Sequence, residues 1–283
     1  AINPVAGHFW AHLAEARYHT NDYRGAAAAY AQAFALRDGY PSETAYQLAC
    51  CYAHLDELAA ARDWLERALA LGLRNLNQVQ TDDTLARLHE DDDLRERIGL
   101  IDTDGMSRDD GWRTDLRFLT REVKRRAYTP FRHGLDEQFD ASVEKLNHSI
   151  PDLTDLQVIV ELTKLLCLLG DGHAAVYPRK GNQEFRQTLP VQFYRFAEGL
   201  FIVAADPQYE DLLGAEVLQF DNRPVEEVMT AVDLLLPRDN ENGQWPKHLM
   251  PRRLQEVPLL HALGLIADPH RVALTIRDLD GVV

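Results

Sequence analysis

Chemistry in this chain has few places to reside. Residues 170–173 read Gly-Asp-Gly-His, so a single imidazole, His173, follows a glycine-broken apolar run that begins near Leu156. Glycine accepts the left-handed conformation that ends a helix, which places His173 on a sharp bend after a rigid element. Two readings of this residue stay open: a general base presented to a cleft, or a structural histidine held by a hydrogen bond. A base needs a nucleophile to serve. The four serines are Ser42, Ser107, Ser142 and Ser149, and none lies in a nucleophile-elbow pattern. Ser142 and Lys145 spell S-x-x-K, but the segment is amphipathic and charged, so nothing would desolvate the lysine and depress its pKa. Cys50, Cys51 and Cys167 lack the spacing of a zinc site or a disulfide framework. No H-E-x-x-H or similar metal spacing occurs. Neither a metal nor a cofactor is therefore expected.

The elements that must position His173 can be read from periodicity. Residues 109–128 carry Trp112, Leu116, Leu119, Val123 and Tyr128 on one helical face, with Pro130 ending the run. Phe139, Val143, Leu146 and Ile150 mark a second helix. A third opens at Thr154 as N-cap, and its Leu156, Ile159, Val160, Leu162, Leu165, Leu166 and Leu169 predict burial. Lys124-Arg125-Arg126 is flanked by acids and reads as a solvent-facing run. Beyond residue 186 the pattern shortens. Runs at 189–196 and 199–205 are separated by Ala197-Glu198-Gly199, a hairpin signal. A strand at 215–220, a turn at Asp221–Pro224, helices at 225–236 and 254–265, and a last strand at 271–278 complete the reading.

The first hundred residues contain an internal repeat. Leu13–Leu36 aligns with Leu48–Leu71 without gaps at a shift of 35 residues, pairing Ala14 with Ala49, Ala26 with Ala61 and Ala33 with Ala68. Small residues at these places allow close approach of two antiparallel helices, and Asn21-Asp22 reads as a turn and N-cap. Residues 81–98 supply further helix to cap the repeats, with Thr81-Asp82 as a cap signal, Leu85, Leu88, Leu94 and Ile98 as the apolar stripe, and the acidic run at 89–93 as a solvated turn and helix start.

The chain has 283 residues and a net charge of −15. That balance argues against nucleic acid and anionic membrane as partners. No run of apolar residues is long enough for a membrane span and no signal peptide is visible, so the cytoplasm is the expected compartment, with export left open.

These motifs carry two resemblances. The repeat is similar to the tetratricopeptide repeat, with its 34-residue period. Residues 109–283 resemble the tail-specific (C-terminal-processing) and tricorn-like serine proteases. The resemblance rests on the 111–126 helix, the helix ending in Gly170-Asp171-Gly172-His173, the strands from Leu189, and the unit Gly214–Val228. It implies an α+β multidomain fold: tetratricopeptide-like repeats at 1–100, a helical protease domain at 101–180, and a small mixed PDZ-like domain at 181–283. In the tricorn branch a histidine at this place is the general base for a serine, which would make His173 catalytic. That branch carries a serine immediately before the histidine, where this chain has Gly172. In the tail-specific branch the base is a lysine. The PDZ-like resemblance gives Gly199, Leu200 and Phe201 as a peptide-binding loop, with an ordinary hairpin turn as the alternative. The family's catalytic serine belongs to a further domain, so the expected partners are a peptide or protein substrate and a catalytic domain in cis or in trans. Repeat positions His8, Ala11, His12, Glu15, Glu43, Tyr46, Gln47 and Cys50 lack the cationic clamp that grips a carboxyl terminus. The rival reading is a non-catalytic binding scaffold.

Overall fold

The computed structural model describes residues 6–37, 39–126, 136–176, 187–239 and 242–283. Helices fill the N-terminal part and a small antiparallel sheet lies in the C-terminal part, an α+β chain. Among the described residues no helix is long and apolar enough to cross a membrane. The chain divides into two compact units, the first containing residues 6–106 and 117–126, the second residues 107–116 and 136–283. The expected boundary at 180/181 lies outside the described residues, as do Tyr128 and Pro130.

In the first unit, α1 (Gly7–His19), α2 (Tyr23–Ala35), α3 (Pro41–His54) and α4 (Leu58–Ala70) pack successively on one another. The repeated small residues are the reason. Ala14, Ala26, Ala33, Ala49, Ala61 and Ala68 are all fully buried, so each helix pair meets backbone to backbone. The two α–α turns repeat as well: Asn21 and Asp56 sit at equivalent places with φ of 61° and 62°. Asn and Asp tolerate that left-handed conformation better than other side chains. Asp22 then caps α2 by accepting the Gly25 N–H.

The segment expected to cap the repeats folds as α5 (Leu76–Thr81), a 3₁₀ turn (Asp83–Glu90) and α6 (Asp92–Ile98), with a cap at Asp82 and a helix start in the acidic run at Asp91. Two aspartates separate these pieces by capping. Asp82 accepts the Thr84 N–H and Asp91 the Leu94 N–H. The apolar stripe keeps its role, since Leu85, Leu94 and Ile98 are fully buried and Leu88 nearly so. Asp82 also accepts the Tyr46 hydroxyl and the Cys50 thiol. Tyr46 and Cys50, read from the repeat as groove positions, are therefore core residues at 2% exposure each.

α7 (Arg108–Arg126) contributes its later residues to this unit. Within the basic run, Lys124 and Arg126 are exposed as expected, and Arg125 departs from its expected place in solvent. Arg125 is 15% exposed and Glu122 10%; the guanidinium holds Glu122 through two bonds of 3.0 and 2.6 Å. It also donates to the Leu69 and Leu73 carbonyls at the end of α4, at 2.8 and 3.0 Å. A helix C-terminus favours a cation there.

In the second unit, α9 (Asp155–Cys167) packs against α8 (Asp136–Ser149) and α12 (Val257–Ala262). Thr154 and Gln157 form a complete capping box at its start. Asp155 in its first turn accepts from Arg108 Nε at 2.7 Å and Trp112 Nε1 at 2.8 Å, which ties the first turns of α7 to α9. The sheet is β1 (Val191–Arg195), β2 (Leu200–Ala205), β3 (Glu216–Phe220) and β4 (Arg223–Pro224) in order, with β5 (Leu274–Arg277) on the free side of β3. Alternation puts Val191, Phe193, Leu200 and Ile202 on one face. That face packs with α10 (Val225–Asp233), α11 (Gln244–Arg253) and α12 into one apolar core. α11 was not visible in the sequence: it is polar overall and contains Pro246 and Pro251, yet both prolines are buried.

Candidate active site

α9 ends at Cys167, and Gly170 turns the chain with φ of 64°. That conformation is the one the glycine was expected to supply. Asp171 then accepts both the His173 N–H at 2.8 Å and, from the ring, Nδ1 at 3.2 Å. A second clamp comes from a distant segment: Asp239 accepts the Gly172 N–H at 2.7 Å. A Cβ on residue 172 would stand 2.9 Å from that carboxylate, so the glycine lets Asp239 approach the bend.

The result is an imidazole held at its backbone and open at its ring. The His173 side chain is 91% exposed. It stands at a cavity of about 500 Å³ whose floor comes from Leu156 and Ile159 of α9, Val176, Trp245 and Leu249 of α11, and Leu259 of α12. Arg252, Arg253 and Glu256 add charge to the wall, with Arg253 and Glu256 paired at 2.8 Å. A cavity of this size, lined by apolar and polar groups in comparable measure, suits an extended peptide or a small amphipathic molecule.

Among the described residues no serine lines this cavity. The hydroxyl in its wall, Thr163, donates to the Ile159 carbonyl at 2.8 Å, the usual use of a threonine within a helix. Cys167 is no substitute nucleophile. Burial, partly offset by Arg238 and Arg253, pushes its thiol up to about 11, far from the thiolate a cysteine enzyme needs.

The remaining sequence candidates fall elsewhere. Ser142 and Lys145 line a separate cavity of about 320 Å³ beside α8 and α9. Lys145 is exposed, so the desolvation that would activate a serine–lysine pair is missing. Gly199, Leu200 and Phe201 lie at and just after the β1–β2 turn, which closes with the Phe196 N–H donating to the Gly199 carbonyl at 2.9 Å. Phe201 joins Phe196, Glu198, Val203 and Leu213 around a groove of about 540 Å³. Leu200 is fully buried, leaving its side chain no part in that groove. His173 and the 199–201 turn thus line different cavities. Asp239 and Trp245 were missed. The signal available for them was the polar, glycine-containing stretch at 238–243 just before a tryptophan, which reads as an ordinary loop. No family model, curated protein or solved structure matches this chain.

Proposed function

We propose that the chain is part of a serine peptidase of the tail-specific and tricorn-like kind, in which His173 is the general base. The observation that carries this reading is the exposed His173 ring, on a bend held by Asp171 and Asp239, lining a cavity of mixed apolar and polar character. Acyl transfer needs a base within hydrogen-bond reach of an attacking hydroxyl. The cavity has the base and space for substrate, and the hydroxyl comes from a further domain in cis or in trans. Within this reading the sheet with α10 is a PDZ-like unit that takes an extended peptide, with the groove beside Phe201 as a side-chain pocket. The four N-terminal helices are two tetratricopeptide-like repeats serving as a scaffold.

A second reading, a peptide-binding scaffold without catalysis, is favoured by the absence of any serine, among the described residues, from the lining of the His173 cavity. One substitution separates the two. In the longest native form of the protein, His173→Ala is expected to reduce peptide hydrolysis by about 10²–10⁴-fold. The thermal midpoint should not move, because the ring touches little besides Asp171. Hydrolysis unchanged by the substitution rejects the base assignment. A large loss of stability would make His173 a structural residue of the bend.

A further inference from the structure

The bend that carries His173 also assembles an imidazole and two carboxylates. One ligand atom from each of Asp171, His173 and Asp239 lies within 4.8 Å of the others. The chain brings them together from separate segments of the unit, since Gly172 and Asp239 are 67 residues apart. We propose that these three side chains form a reversible Zn²⁺ site. Occupancy would take the imidazole lone pair and so silence the base. The switch rests on the function proposed above; the metal site does not.

Three features point to a cation of this kind. First, two carboxylates face each other across the bend, and among the described residues neither is ion-paired with a lysine or arginine. Adjacent like charges destabilise one another unless a cation is shared. Second, one oxygen of each carboxylate is already fixed by a backbone N–H, that of His173 on Asp171 and that of Gly172 on Asp239. Metal-ligating carboxylates are oriented by such bonds. Third, the missing side chain at residue 172 is what admits the Asp239 carboxylate. Zinc bonds of about 2.0–2.2 Å place tetrahedral ligand atoms about 3.4 Å apart, so these exposed side chains need to close by roughly an ångström, a rotamer adjustment. One imidazole with two carboxylates and an open position for water suits Zn²⁺ better than Ca²⁺, which takes six to eight oxygens, or Mg²⁺, which demands octahedral oxygen.

The test is calorimetric titration of this chain with Zn²⁺ in a non-chelating buffer. One saturable site is expected. Asp239→Asn keeps an acceptor for the Gly172 N–H but loses the charge, and it should weaken binding at least ~10-fold. His173→Ala should do the same and leaves the Asp239 clamp in place, so it decides the matter if Asp239→Asn disturbs the loop. His148→Ala removes the exposed His148–Glu144 pair on α8 and should change nothing. The proposal is overturned by absence of saturable binding up to about 1 mM Zn²⁺. It is equally overturned by binding that survives His173→Ala, or that disappears with His148→Ala. Because heat of binding is read instead of hydrolysis, Zn²⁺ captured by a protein whose turnover ignores His173 would refute the base and keep the site.

Discussion

Replacing Arg125 with alanine should destabilise the first unit by about 3 kcal/mol, and the figure can be built from its partners. Arg125 makes two bonds to Glu122 and one each to the Leu69 and Leu73 carbonyls. The Leu69 carbonyl keeps the Gly72 N–H at 3.0 Å, so its loss is small. The Leu73 carbonyl loses its charged donor, which costs about 1–3 kcal/mol when a buried acceptor is orphaned. Glu122 at 10% exposure is left with Arg126 Nε at 2.9 Å, so the roughly 3–5 kcal/mol of a broken buried pair is only partly incurred. Urea unfolding followed by circular dichroism, with the thermal midpoint alongside, reads the effect. A drop of roughly 10 °C is expected for a unit of this size. Arg125→Lys should recover less than half, because an ammonium cannot span a carboxylate and two carbonyls as the guanidinium fork does. The double variant with Glu122→Ala should cost less than the sum of the singles. A loss under about 0.5 kcal/mol for Arg125→Ala, the range of ordinary surface changes, would refute the reasoning.

Three further outcomes test other joints of the fold. Burial pushes the Asp82 carboxyl up, but hydrogen bonds from Tyr46, Thr84 and Cys50 outweigh it and hold the group below its usual range. A depressed folded value means the stabilisation is complete above the unfolded value near 4 and is lost as pH falls through the folded one. Wild type should therefore lose stability faster than Asp82→Asn as pH falls below about 4, as measured by acid titration of the circular dichroism signal. Thr154→Ala removes the capping box of α9 and should cost about 1 kcal/mol in urea unfolding; no change would mean that α9 is held by packing alone. Gly170→Ala meets no neighbouring atom, so its expected cost of about 1–2 kcal/mol is the left-handed backbone alone, and a neutral result would show that the bend relaxes.

Periodic and local features were legible in the residues. The repeated alanines specified four successively packed helices, because small side chains at fixed spacing have one close-packed use. Thr154 and Gly170 bounded the buried helix through backbone chemistry that needs no distant partner. Arg125 belongs to the other kind. Its surroundings in the chain are charged and suggest solvent, while the carbonyls it binds lie 52 and 56 residues away. Asp82 shows both kinds: its cap on the Thr84 N–H is local and legible, while its bond from Tyr46 spans 36 residues.

At the candidate site the division is the same. The sequence alone determined that one histidine would stand on a glycine bend behind an apolar helix, because propensity and periodicity act over a few neighbouring residues. Only the tertiary structure decided that Asp239 clamps that bend, that Trp245 and Leu249 wall its cavity, and that Leu200 turns inward, away from the groove beside it. Those outcomes depend on which distant segments pack together, and a contact of that range leaves no periodic mark on either segment.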